Sequence, residues 1–181
     1  TYSDATTHGD EHWTLAGILE QSSNVGMIIA GEKMSNEQRY DFIRKFGVGQ
    51  DNGLGFPGES DGLLYSSDQW DLRTQNTVLF GQAYTTNALQ LTNAVAVIAN
   101  KGVKKPQRII KTISDAEGHS EEQKPEGEAT RVIDEQVASQ VMNAMESVSD
   151  HYSQFVKVDG YRVAAKSGTA EVAGADGRLS S

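Results

Sequence analysis

Three observations predict a mixed α+β class. Apolar residues recur at helical spacing through the first half of the chain, β-branched runs cluster in the second half, and capping residues stand ahead of the apolar stripes. The opening residues 1–12 carry Asp4, His8, Asp10, Glu11 and His12 with almost nothing apolar, and read as a loop. Trp13, Ala16, Ile18 and Leu19 then place a first helix within 14–19. A more apolar, buried helix is expected over 24–33 on Val25, Met27, Ile28 and Ile29, with the polar run Gln21-Ser22-Ser23-Asn24 at its start. Ser35 and Gln38 have capping-box spacing, Tyr40, Phe42, Ile43 and Phe46 give the helix behind them a buried stripe, and Gly47 stops it. Six glycines and Pro57 within 47–62 are too many for a regular element, so a structured loop follows.

Residues 77–81 read as a short strand. Thr86 or Asn87 caps the next helix, whose apolar positions are Leu89, Leu91, Ala94, Val95 and Ile98. The β-branched content of 107–114 predicts a strand, the charged stretch 115–129 a solvated hairpin or loop, and 130–133 a return strand. Asp134 caps a helix with Val137, Val141, Ala144, Met145 and Val148 on one face. A last strand over 160–172 leads into Lys166-Ser167-Gly168-Thr169-Ala170.

The 181 residues are one domain's worth of chain. The net charge of −9 argues against condensation on a phosphate backbone, so nucleic acid is not an expected partner. No apolar run approaches the ~18–20 residues of a membrane-spanning helix. Zero cysteines exclude a disulfide framework, a thiolate metal site and a cysteine nucleophile together.

Two polar strings stand out, Ser22-Ser23-Asn24 and Lys166-Ser167-Gly168-Thr169. Each alone is more often a helix cap or a strand end. Together they supply what acyl transfer on a peptide with a free carboxylate needs beyond its nucleophile: a hydroxyl to relay protons, an amide to hold the substrate backbone, and a cation with hydroxyls for the carboxylate. Gly168 fits a strand whose edge the substrate approaches closely.

These two strings, with Val25-Gly26 after the first, Phe56-Pro57-Gly58-Glu59-Ser60, Phe80-Gly81-Gln82, Leu89-Gln90-Leu91, Ile98-Ala99-Asn100 and Gly160-Tyr161-Arg162-Val163-Ala164-Ala165 before Lys166, resemble in order the transpeptidase domain of class B penicillin-binding proteins. Ser-Ser-Asn-Val and the Pro-Gly-Glu loop are most similar to the cell-division branch. The resemblance implies part of the penicillin-binding and serine β-lactamase-like transpeptidase fold: a helical region plus strands of a central antiparallel sheet, incomplete at both ends. It implies a peptidoglycan D,D-transpeptidase that attacks the D-Ala-D-Ala end of stem peptides through an acyl-serine and is acylated by β-lactams. It further implies division or cell-wall synthesis proteins as partners, and no cofactor or metal. On that resemblance Ser22 and Lys166 are catalytic, Ser22 as a proton relay and Lys166 as a source of positive potential. Asn24 would bind the substrate's side-chain amide, Ser167 and Thr169 its terminal carboxylate, and Gly168 and Thr169 lie at the substrate-facing edge.

The family's nucleophile lies in a Ser-x-x-Lys tetrad, and no serine here has Lys three positions later. Residues 1–181 are therefore expected to be an interior part of a larger domain, inactive alone, with a membrane anchor upstream and the active domain outside the cytoplasmic membrane. A β-lactam-sensing receptor domain and a serine β-lactamase are the alternative readings. His8 and His12 with Asp10 and Glu11 sit in a polar stretch and are not expected to bind metal. The acidic 117–128 run reads as a solvated loop, the glycine-rich loop lacks phosphate-binding spacing, and Trp13 and Trp70 read as packing residues.

Overall fold

In a computed structural model, residues 2–55, 57–168, 172–173 and 179–180 are described. They divide into two compact units, one of residues 1–34, 71–82 and 140–181, the other of 35–70 and 83–139.

The first unit starts with a loop and then helices α1 (Leu15–Glu20) and α2 (Asn24–Gly31). Thr14 caps α1 by accepting from Gly17 N–H, and Ser23 caps α2 by accepting from Gly26 N–H. Two glycines let neighbours sit close to α2. A Cβ at Gly26 would meet Ile18 of α1 at 2.9 Å, and one at Gly31 would meet Leu79 at 2.5 Å. The expectation that α2 is a buried helix does not hold. Only Gly31 is buried in it and Ile29 is 65% exposed, because its packing runs through the glycine face rather than through the branched residues.

The expected strand at 77–81 is helical instead. Helix α4 (Thr74–Thr77) runs directly into a 3-10 turn, Val78–Phe80, that ends at left-handed Gly81. Asp71 starts this turn by accepting from the N–H groups of Arg73 and Thr74, so the local capping of 71–74 overrides the β propensity of Val78 and Leu79. The unit also holds part of helix α6 (Glu135–His151), short helix α7 (Ser153–Val156), which the sequence reading did not anticipate, and the antiparallel pair β5 (Val172–Ala173) and β6 (Leu179–Ser180). The strand expected over 160–172 is not formed across 161–168. Among the described residues the ladder contact there is a single bond, Ala165 N–H to Met145 O at 3.2 Å, and one bond to a helix carbonyl does not make a strand.

The second unit begins with α3 (Asn36–Lys45), whose capping box between Ser35 and Gln38 forms as spaced. Its stripe is only half-buried, with Phe42 45% exposed. Gly47–Gly62 is a loop in which all six glycines have positive φ. Asn87 and Gln90 form a second capping box at the start of α5 (Ala88–Ala99). The buried face of α5 is not the expected leucine stripe but Gln90 and Val97, seven residues apart. Gln90 decides this: its Nε2 donates to Gln50 O and Asp61 O, both at 2.7 Å, so the amide satisfies the carbonyls of the glycine-rich loop. Gly62 shows how tight that loop is, with φ +70° and Thr85 O 2.3 Å from where a Cβ would sit.

Beyond α5, left-handed Gly102 aligns β1 (Val103–Lys104) antiparallel to β4 (Thr130–Arg131). The strand expected over 107–114 forms only in its last part, β2 (Thr112–Ser114), which pairs with β3 (Ser120–Glu122) as a fully exposed hairpin. The first residues, Ile109 and Ile110, find no partner strand. Helix α6 begins after Asp134, and its buried positions are Ala138, Met145, Val148 and Ser149, so its inward face is turned from the expected stripe and leaves Val137 43% exposed. The strands of the described residues are thus three separate antiparallel pairs.

Gln90→Leu keeps the volume but leaves the Gln50 and Asp61 carbonyls unpaired, at about 1–3 kcal/mol for each buried group. Hydrogen exchange on the full-length protein should show amides of residues 50–62 losing protection in this variant while those of α3 keep theirs. Unchanged exchange in the loop would show that Gln90 does not hold it.

Candidate active site

Ser22 owes its position to the way α1 ends. After the C-cap Gln21, Ser22 takes a left-handed backbone, φ 54°. Its N–H donates to Leu19 O at 3.2 Å and that of Ser23 to Ile18 O at 3.0 Å. These are the paired bonds of a Schellman turn, with serine where glycine is usual. Ser23 caps α2 at once, so the polar run is the joint between two helices and Ser22 projects from the joint, exposed.

Asp4, in the opening loop, pins this joint. Asp4 Oδ2 accepts from Ser23 Oγ at 2.7 Å, and Oδ1 accepts from Val25 N–H at 3.0 Å. His8 Nε2 lies 2.9 Å from Asp4 Oδ2, and the imidazole stands 5.0 Å from the Trp13 ring. Burial pushes the Asp4 carboxyl up, but the hydrogen bonds from Ser23, Val25, His8 and Asn24 outweigh it and hold the group below the usual carboxylate range. His8 is raised, first by its contact with Gly9 O and then by Asp4. No local pattern marks Asp4, because its partners lie about twenty residues on; the only signal is an acid ahead of a helix N-terminus.

Lys166 comes to the same joint from 144 positions away. Its Nζ donates to Ser22 Oγ at 2.8 Å, to Ser167 O at 3.0 Å and to Ser167 Oγ at 3.3 Å. Three acceptors use the three donors of an ammonium, yet none is a carboxylate. No ion pair forms at Lys166 among the described residues, and burial lowers its pKa from the ordinary lysine value. A half-buried cation without a counter-charge, hydrogen-bonded to a hydroxyl, can pass a proton through that hydroxyl or hold an anion beside it.

Ser22, Lys166 and Ser167 are therefore brought together. Asn24, the first residue of α2, turns its amide to Ser3 O at 3.4 Å. A Cβ at Gly168 would meet nothing within 4 Å, so no part of the described chain fills the space beside it. Thr169 lies outside the described residues. Trp70 packs edge-to-face on Tyr40 and donates to Tyr65 O.

Residues 1–180 match the model of the penicillin binding protein transpeptidase domain. The chain belongs to that family. Among solved structures, a peptidoglycan synthetase from Bifidobacterium adolescentis is 74% identical with a TM-score of 0.91, covering 98% of this chain and 32% of that one. Penicillin-binding protein 3 of Mycobacterium tuberculosis, solved with ampicillin, is 35% identical with a TM-score of 0.87, covering 97% of this chain and 41% of that one. The peptidoglycan D,D-transpeptidase FtsI of Escherichia coli is 34% identical over 167 residues, which are 91% of this chain and 26% of FtsI. The chain spans about a quarter of the length of the curated relatives it matches. The mixed helix-and-strand fold expected from the resemblance is the transpeptidase-domain fold of these neighbours.

The joint of this transpeptidase-family chain yields two expectations. Ser22→Gly removes the left-handed penalty and should stabilise by about 0.5 kcal/mol, the gain offset in part by a looser unfolded chain, whereas Ser22→Val should cost more than about 1 kcal/mol. Thermal melts of the two variants against Ser22→Ala check this; a Val variant as stable as Ala would remove the strained turn from the account.

The Asp4–His8 contact gives a pH window. Asp4 is lowered on folding, so its contribution is complete above the ordinary carboxyl value of about 3.9 and is lost as pH falls through the lowered value. His8 is raised, so its contribution is complete below about 6.5 and is lost as pH rises through the raised value. His8→Ala should remove the alkaline-side dependence of the melting profile and part of the acid side, because His8 helps lower Asp4, whereas Asp4→Asn should remove the acid side and leave the part of the alkaline side that Gly9 O sustains.

Proposed function

We propose that this chain carries the second and third active-site motifs of a peptidoglycan D,D-transpeptidase, an acyltransferase that cross-links stem peptides through an acyl-serine and is acylated by β-lactams. The observation that supports this most is the 2.8 Å bond between Lys166 Nζ and Ser22 Oγ, which joins the two motifs across 144 positions. The names of relatives support the same chemistry: FtsI is called a D,D-transpeptidase, and a solved relative holds ampicillin.

On this reading a serine outside these residues attacks the penultimate D-alanine carbonyl, since no serine here has Lys three positions later. As the acyl-serine forms, the bond to the terminal D-alanine nitrogen breaks and that nitrogen needs a proton. The attacking serine's hydroxyl proton goes to a base outside these residues, and Ser22 is placed to give its own hydroxyl proton to the nitrogen while Oγ takes one from Lys166 Nζ; the proton held on that base then restores the charge of Lys166. The lowered pKa of Lys166 favours that transfer. The terminal carboxylate, or that of a β-lactam, takes the positive potential of Lys166 and the hydroxyls of Ser167 and Thr169. The Thr169 N–H is one oxyanion donor. Asn24 turns from Ser3 to hold the substrate's amide, and the clear space at Gly168 admits the substrate backbone.

The whole protein is proposed to be anchored in the cytoplasmic membrane and to act outside it with division or cell-wall synthesis proteins. No helix among the described residues is long and apolar enough to cross a membrane.

Fluorescent penicillin should label the full-length protein, with the adduct mapping by mass spectrometry outside these 181 residues. Ser22→Ala and Lys166→Met should each slow labelling by about 100-fold or more, as expected for loss of a proton-transfer group. In the parent protein labelling should fall as pH rises through the lowered Lys166 pKa, below the ordinary lysine range. An adduct on Ser22, or labelling at the parent rate in both variants, would overturn these roles.

A further inference from the structure

We propose that a basic cavity in the second unit, away from Ser22 and Lys166 in the sequence, binds a phosphate-bearing anion. The cavity holds about 410 Å³, and its lining includes Arg44, Lys45, Lys104 and Arg131 with one carboxylate, Asp41. Four cations against one anion is a local inversion of a chain whose net charge is −9. They come from separate elements: Arg44 and Lys45 from the last turn of α3, Lys104 from β1, Arg131 from β4. The convergence is thus a product of the fold and not of a basic run.

Both guanidinium groups are held in place at one end. Arg44 donates through Nη1 to Gly49 O at 3.3 Å and stands over the Tyr40 ring, 5.7 Å from its centre. Arg131 donates through Nη1 to Lys101 O and Ile133 O, each at 3.1 Å. Backbone carbonyls, which carry no full charge, fix these cations, while Glu135, itself paired with Lys101, lies close enough to Arg131 for its carboxyl to be lowered in part by that charge. None of the four forms an ion pair among the described residues; the salt bridges there engage Lys101, Arg108 and Arg162 instead. Elsewhere a fold places such charges apart, because like charges within one cavity repel. Positioned guanidinium groups beside mobile ammonium groups are the donor set that suits phosphate oxygens, the former by directed N–H bonds and the latter as point charges. A singly charged carboxylate would leave most of that charge unanswered, whereas phosphate and pyrophosphate carry enough to balance it.

The proposal does not rest on the acyl-transfer reading, and penicillin labelling, followed alongside, keeps the two separable. Calorimetric titration of the full-length protein with inorganic pyrophosphate should show binding that weakens with added salt. A Lys45→Gln/Lys104→Gln variant should lose about tenfold or more in affinity, as removal of charge-assisted contacts predicts, and keep the parent labelling rate. Asp41→Asn should tighten binding by removing the opposing charge, which guards against a double variant that fails to fold. Vesicles of phosphatidylglycerol in phosphatidylcholine separate the sources. Vesicle binding that pyrophosphate displaces assigns the site to a lipid phosphate, and pyrophosphate binding without vesicle binding assigns it to a soluble one. No pyrophosphate binding, or equal binding by the double variant and Asp41→Asn, would overturn the proposal.

Discussion

The left-handed turn at Ser22 is the constraint on which the candidate site depends. A helix end must satisfy its last carbonyls, and α1 does so by sending the N–H groups of Ser22 and Ser23 back to Leu19 and Ile18. That closure forces φ 54° on a residue with a side chain, a cost of about 1 kcal/mol that glycine would avoid. Serine stays, and the neighbourhood holds it: Ser23 caps the next helix, and Asp4 takes both Ser23 Oγ and Val25 N–H. The strained residue is the one whose hydroxyl meets Lys166 Nζ.

Around that turn two ionisable groups sit in opposite surroundings. Asp4 has an 8% exposed side chain but several donors, so it keeps its charge and serves as a fixed anchor. Among the described residues Lys166 has acceptors but no carboxylate, and burial works against its charge. The difference lies in the partners: the Asp4 carboxylate is met by hydrogen-bond donors, whereas the Lys166 ammonium is met only by neutral oxygens among the described residues.

What could be read from the residues was what local bonding decides. The boxes Ser35–Gln38 and Asn87–Gln90 close over three residues, and both helices begin where spacing put them. Ser22 and Lys166 stood out for a different reason: on the proposed reading, acyl transfer restricts which side chains can serve it. What could not be read depends on distant partners. The face of α5 is set by carbonyls 29 and 40 positions away from Gln90, so a polar residue lies inside and Leu91 outside. Asp4 carries no local signature, and residues 77–81 lost their strand because Asp71 caps a helical turn before them. The 161–168 segment has strand-like residues, but strands are made by partners, and among the described residues one helix carbonyl, Met145 O, pairs with it.

Serine rather than glycine at position 22 is compatible with the proposed acyl-transfer role. A glycine would fold the joint at lower cost, but it would leave Lys166 Nζ with only the Ser167 oxygens. Those acceptors belong to its own neighbour in the chain and hold the ammonium without linking it to anything else. The Ser22 hydroxyl differs because it both accepts from Nζ and carries a proton of its own to give onward. A group that only accepts stabilises a charge, while one that accepts and donates moves a proton. On the proposed reading the strained residue at the joint serves the second property, with Lys166, which meets no carboxylate among the described residues, as its partner.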